Sequence, residues 1–345
     1  EVIIMRNHLV TSHHDLLDKN GQLIEPGWST SLVQKYDRAA IKKRKTRIKE
    51  WDYYYVMSNS NEFALCLTVS DLSYLGMYSI SFVDLKNAVE HTDSVIVPFT
   101  MGKTNLPPTS AAGDVKFRNK KIAIEFLNKG DHRILRAEYP SFDNGKGIRC
   151  NVILTDEPQD SMVIATPWKE DKKAFYYNQK IDCLRASGKV EYDGKVYEFD
   201  PSVDFAGLDW GRGVWTYDNY WYWGSGSGQV DGVPFGFNIG YGFGDTSAAS
   251  ENVIFYNGKA NKFDDVVFNI SDNYVDPWTI VSSDGRFDMD FVPIIDRNAL
   301  VDAKIIVTDQ HQVFGRMSGT AVLDDGTKIE LKDFLCFAEK VHNKY

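Results

Sequence analysis

Three ionisable residues in this chain of 345 residues stand in settings where proton transfer is chemically reasonable: Asp209, Glu251 and His311. Asp209 opens the string Asp209-Trp210-Gly211-Arg212-Gly213-Val214-Trp215. Glu251 follows the glycine-rich hairpin Gly240 to Gly244 and begins the next strand, a placement that allows its side chain to enter the same lobe as Asp209. Two carboxylates in a partly apolar pocket have their pKa values pushed apart, which is how a general acid and a general base are made. A neutral histidine such as His311 relays protons near physiological pH. Each residue also has a plainer reading: acidic residues at strand starts are commonly solvated, and a strand histidine is commonly a hydrogen-bonded residue of a core or barrel mouth.

Arg212 lies three positions after Asp209, across Gly211, so a turn there would bring guanidinium and carboxylate together. Such an arginine either orients a polar or anionic ligand or forms a structural ion pair. Trp210, Trp215, Trp221 and Trp223 follow in a segment broken by Gly211, Gly213, Gly224, Gly226 and Gly228. Flat apolar rings beside close-approaching backbone suit a shaped pocket, and equally a tightly packed barrel corner. In the first half, Trp51 and Asp52 sit in Lys49-Glu50-Trp51-Asp52, where they would line a second face of the ligand site or brace the first barrel.

The expected ligand is therefore a small molecule, apolar, ring-shaped or glycosidic, and the expected chemistry is acid-base. Tryptophan platforms with paired carboxylates also fit a glycoside hydrolase. A non-catalytic carrier of a lipid or other hydrophobe is the reading from a different class.

No phosphate-cradling G-x-x-x-x-G-K-[ST], no G-x-S-x-G and no H-E-x-x-H occurs, so nucleotide, serine-hydrolase and zincin chemistries lack their signatures. His8, His13 and His14 have no cysteine or carboxylate at ligand spacing. Neither a metal nor another cofactor is expected. Cys66, Cys150, Cys183 and Cys336 are widely spaced and read as reduced thiols. A net charge of -9 disfavours broad nucleic-acid binding. The basic run Arg38 to Lys49 suits an anionic membrane surface or, more plainly, a solvated helix face. No apolar stretch is long enough to span a bilayer, and residues 1 to 30 lack the apolar run of a signal peptide, so a soluble cytoplasmic protein is expected.

The elements that must position these residues read as strands. Short apolar runs such as Phe63 to Val69, Tyr78 to Val83, Arg149 to Leu154 and Pro234 to Gly240 end at turns of the type Asp193-Gly194, Asn257-Gly258 and Asp325-Gly326. Helical spacing is confined to Leu331 to Val341, with Leu331, Phe334, Leu335, Ala338 and Val341 on one face, and to the basic segment Tyr36 to Ile48. An internal repeat organises the whole. Arg-Ala-Ser-Gly at 185 to 188, Asp193-Gly194 and Glu198 recur as Arg-Met-Ser-Gly at 316 to 319, Asp325-Gly326 and Glu330, and Gln179 matches Gln310. On that alignment Lys180 corresponds to His311. The repeat predicts two antiparallel β-barrel lobes, residues 1 to 200 and 201 to 345, with the candidate site in the second and a short helix at the C-terminus.

Several strings resemble one family: Pro26-Gly27-Trp28-Ser29, Lys49-Glu50-Trp51-Asp52, Tyr197-Glu198-Phe199-Asp200-Pro201, Asp209 to Trp215, Glu251-Asn252 and His311-Gln312-Val313-Phe314-Gly315. In this order they are similar to the uncharacterised family known as domain of unknown function 2804. More distantly that family resembles the two-lobed lipocalin-like proteins that include carotenoid 1,2-hydratase, AttH-like proteins and fungal Diels-Alderases. The resemblance implies two antiparallel barrels with a ligand site inside or between them, and chemistry of the hydration, elimination, isomerisation or cyclisation kind.

Overall fold

The computed structural model describes residues 6–302 and 307–345 and is nearly all antiparallel β. Two curled sheets form two lobes in a lipocalin-like arrangement. In the first, the strand order runs Val89–Pro98, Leu75–Asp84, Phe63–Asp71, Ile48–Ser58, Phe205–Val214, Phe175–Tyr192, Ile148–Thr155, Arg133–Tyr139, Ala123–Asn128 and Val115–Arg118. In the second it runs Lys259–Lys262, Val253–Tyr256, Val233–Tyr241, Asp218–Val230, Lys328–Lys344, Val307–Val322, Phe287–Asp302, Trp278–Ser282 and Val266–Asn269. Each sheet curls around its own apolar core, and two further clusters fill the seam where the lobes meet back to back.

The repeat has a structural counterpart. Gly188 and Gly319 both take positive φ, 107° and 151°. A Cβ on either would strike a carbonyl oxygen of the neighbouring strand, that of Asn151 at 2.2 Å or of Asp288 at 2.1 Å. Both halves thus use Arg-x-Ser-Gly to press a long, twisting strand against its partner at a place where only glycine fits.

Two expected helices are absent. Lys328–Lys344, which contains Leu331 to Val341, is a strand paired on both sides. A bulge opposite Met317 and Gly319, with Asp333 at φ 50°, resets its alternation. Beyond it Phe334, Cys336 and Ala338 enter the second lobe's core, while Leu335 and Phe337 enter the seam. Ile329 and Leu331 alternate with exposed Lys328, Glu330 and Lys332, but from Phe334 to Glu339 both faces are buried and the alternation disappears, so the apolar residues fall by coincidence at helical spacing. Tyr36 to Ile48 contains only two 3-10 turns, Arg38–Ala40 and Lys45–Arg47. Its cations are partly engaged within the molecule: Arg38 pairs with Glu50, Lys43 with Asp171, and Arg47 donates to the carbonyls of Trp215 and Tyr345. Among the described residues no helix is long and apolar enough to cross a membrane. All four cysteines are free and buried.

The chain passes from the first sheet to the second between Val214 and Asp218, not near residue 200. Asp209 to Val214 therefore belongs to the first sheet, between Ile48–Ser58 and Phe175–Tyr192. That central position puts one of its faces in the first lobe's core and the other on the seam.

Candidate functional site

Alternation along three adjacent strands of the first sheet builds the site. On Phe205–Val214 the even positions Leu208, Trp210 and Val214 pack in the first lobe's core, whereas Asp209 and, just past the strand, Trp215 line a cavity on the seam. On Ile48–Ser58, Tyr54 and Val56 take the core side and Trp51 and Tyr53 the cavity side. On Phe175–Tyr192, Tyr176 and Lys180 face the cavity. The second lobe closes it with Trp221, Trp223, Gln312 and Glu339 from its sheet and with Phe243 and Glu251 from the loop between Val233–Tyr241 and Val253–Tyr256. The cavity, open on one side, has a volume of about 590 Å³, within the range of small-molecule sites.

Rings form one wall. Trp51 stacks on Tyr176 at 6.2 Å and meets Trp215 edge-on at 5.2 Å; Trp221 and Phe243 extend the group at 6.0 and 5.3 Å. The indole Nε1 of Trp215 is buried without a partner among the described residues. Trp51 lies flat over the backbone of Phe205–Val214, where a Cβ on Gly211 would fall 1.9 Å from its ring. Glycine at that position is what lets this ring seat and donate from Nε1 to Asp209 Oδ2 at 3.0 Å.

The polar end centres on Lys180. Its ammonium is 2.9 Å from Asp209 Oδ1 and 3.8 Å from the centroid of Trp223. Asn178 also donates to Asp209 Oδ1, at 2.6 Å. Asp209 thus accepts two hydrogen bonds, from Trp51 and Asn178, besides its ion pair with Lys180, and so anchors the ammonium. Glu339 accepts from Trp221 Nε1 and from Gln312 Nε2, each at 2.9 Å. Burial pushes the Glu339 carboxyl up to about 7, against the lowering effects of Trp221, Arg297, Gln312 and Lys180. Glu251, held by Asn238 Nδ2 at 3.2 Å, is also raised by burial, with Lys180 acting against the shift and Asp209 reinforcing it. Lys180, with the charge of Arg297 nearby, thus offsets only part of the negative charge of three buried carboxyls, and a proton on Glu339 near neutrality relieves the excess.

Of the residues singled out from sequence, Asp209, Glu251, Trp51, Trp215, Trp221 and Trp223 converge on the cavity. Four others do not reach it. Trp210 is fully buried in the first lobe's core, edge-on to Tyr177 at 5.7 Å. Arg212 is stacked on it at 4.3 Å, pairs with Asp52 at 3.0 Å and donates to the carbonyls of Trp51, Gly211 and Pro107. Arg212 therefore pairs with Asp52 across the strands instead of with Asp209, because residues three apart on an extended strand point to opposite faces. His311 lies on the opposite face of Val307–Val322 from the cavity residues Gln310 and Gln312; it bonds Asp296 at 2.6 Å and stacks on Tyr274 at 3.8 Å.

The placement of Arg212 carries a clear expectation. Arg212→Met should cost about 3–5 kcal/mol by stranding the Asp52 carboxyl in the core, as read by denaturant unfolding, while ligand binding in the cavity persists in the folded fraction. A loss below about 1 kcal/mol, the range of an exposed pair, would contradict this.

Sequence reading missed Lys180 and Glu339. Lys180 was matched with His311, but Phe175–Tyr192 carries an extra residue at a bulge between Ile181 and Leu184. Counted back through that bulge from the shared Arg-x-Ser-Gly, Lys180 corresponds to Gln312, and both face the cavity. Glu339 was hidden in the expected C-terminal helix.

Comparison with solved structures supports the two-lobed arrangement. A protein assigned as AttH from Nitrosomonas europaea is 13% identical with a TM-score of 0.53, over 85% of this chain and 92% of that one. CghA in complex with Sch210972 is 10% identical with a TM-score of 0.52, over 96% and 97%. Kievitone hydratase from Nectria haematococca is 10% identical with a TM-score of 0.49, over 96% and 98%. At these identities the likeness to the first two is one of fold. No curated protein sequence matches the chain. A family model does match residues 7–345, and with nearly the whole length accounted for, the protein belongs to the family described as Domain of unknown function (DUF2804).

Proposed function

We propose that this protein is an enzyme that uses acid-base chemistry on an apolar or ring-bearing small molecule held between its lobes, in a reaction of the hydratase, lyase, isomerase or cyclase type. The observation that carries the reading is the convergence of Asp209, Glu251 and Glu339 around Lys180 beneath an aromatic wall. A ligand's rings would lie against Trp51, Trp215 and Trp221. Lys180, fixed by Asp209, donates to a substrate oxygen that gains negative charge, and Glu339, whose carboxyl titrates near 7, moves the proton. Glu251 is the second proton-transferring group. His311 has no part in this arrangement, being turned away from the cavity.

The test is ligand capture from a metabolite extract of the producing cells. Native protein and the Glu339→Gln and Glu251→Gln variants are incubated with the extract, washed, and their bound small molecules identified by mass spectrometry. Different compounds on native and variant, equal in mass or differing by one water, support the enzyme. The same unaltered lipid on all three would make the protein a carrier and overturn the proposal.

A further inference from the structure

The cavity contains a second cation, and its situation differs from that of Lys180. Arg297, on Phe287–Asp302, lines the cavity near its polar end. One of its terminal nitrogens donates to Ser81 Oγ in the first lobe and another to Gln312 Oε1 in the second, each at 2.6 Å. Among the described residues no carboxylate lies within 4.0 Å of it, and its Nε is buried without an acceptor. Glu339 and Glu90 are close enough to interact with its charge but do not pair with it. Lys180, by contrast, is already matched by Asp209 at 2.9 Å. A half-buried guanidinium lining the cavity, with neutral partners and a buried N–H to spare, lacks the anion that such a group ordinarily holds.

We infer that Arg297 is a substrate-recognition residue, and that the cavity takes small molecules with an apolar ring system at one end and a carboxylate at the other. The inference rests on the same cavity as the enzymatic reading and names its substrate class. Gln312 links the two roles: its Oε1 accepts from Arg297 while its Nε2 donates to Glu339. A carboxylate on Arg297 therefore sets the adjoining carbons of the ligand beside Glu339, and its negative charge favours the protonated form of that acid. The hydroxyls around the guanidinium are mutually engaged, Thr92 donating to Ser81 at 2.8 Å and Ser94 to Ser79 at 3.0 Å, so they do not replace the missing anion.

The experiment compares pyrenebutyric acid with its uncharged methyl ester, by pyrene fluorescence at pH 8, on full-length native protein and on Arg297→Met, Arg297→Lys and Glu339→Gln. The native protein should bind the acid roughly 10–100-fold more tightly than the ester, the selectivity expected of a charge-assisted pair. Arg297→Met should lose the preference and bind acid and ester about equally, Arg297→Lys should keep part of it, and Glu339→Gln, which removes a negative charge beside the bound carboxylate, should keep or enlarge it. An arginine that merely clamps the lobes together would alter stability and leave the acid-to-ester ratio where it was. Equal affinities in the native protein, failure to bind the acid, or a preference that survives in Arg297→Met each overturn the inference. Turnover is scored separately, so acid selectivity without any conversion would sink the enzymatic reading and leave Arg297's role standing.

Discussion

Glu339→Gln should slow turnover by about 10²–10⁴-fold, the usual contribution of a positioned acid or base, while making the protein more stable above pH 7. Burial raises this carboxyl from 4.5 to about 7 in the folded state. Between those values the folded protein binds a proton that the unfolded chain has released, so Glu339's contribution is fully present below pH 4.5 and is lost as pH rises to about 7. At 1.36 kcal/mol per unit the loss is about 3 kcal/mol. The glutamine amide stays neutral throughout but forfeits about 1 kcal/mol of hydrogen bonding, because its NH₂ cannot accept from Gln312. A net gain of about 1–3 kcal/mol is expected at pH 8 and none at pH 4.

Lys49 and Lys262, which burial lowers to about 6 and about 7, act oppositely, stabilising the fold as pH rises. The measurement is therefore the difference between variant and native unfolding free energies at each pH, in which the lysines cancel. A variant less stable than the native chain at pH 8, or as fast in turnover, would remove Glu339 from the proton-transferring role. Stability gained at the expense of activity is the mark of a group kept charged or chargeable for function.

Lys180→Met should do the reverse. Removing the ammonium leaves Asp209 without its cation and takes favourable charge from Glu251 and Glu339. A cost of about 3–5 kcal/mol is expected at pH 8, shrinking toward pH 4 as Glu251 and Glu339 take up protons. With Glu339 as the proposed proton-transferring group, the pH profile of turnover should break near 7 in the native protein and move upward in Lys180→Met, because a nearby positive charge has gone. Lys180→Arg, which keeps the charge, should restore most of the stability but little of the turnover, since the planar fork does not place a donor where the compact ammonium does. A pH profile unchanged in Lys180→Met would show that Lys180 is not coupled to the acid.

What could be read from the residues was mostly what short-range pattern encodes. Strand content followed from turn pairs such as Asp193-Gly194 and Asp325-Gly326, and the doubled lobe from Arg-x-Ser-Gly recurring at 185 and 316. The ring-rich segment after Asp209 was legible only as rings beside close-packed backbone, which suits a pocket and a packed barrel corner equally; the fold uses it for both, with Trp210 in the core and Trp215, Trp221 and Trp223 on the cavity. Which side of a strand each residue faces was another matter. Lys180 and Glu339 stand on strands whose alternation is reset by a bulge, at Ile181 to Leu184 in one and opposite Met317 to Gly319 in the other. An extra residue shifts every side chain beyond it to the other face, and local sequence carries no mark of that shift. Plain alternation along unbulged stretches turned Trp210 and Arg212 into the first lobe's core and His311 away from the cavity. Composition and spacing were thus enough for the lobes and the rings, whereas the ammonium and its three carboxyls were brought together by strand register and by the packing of one sheet on another.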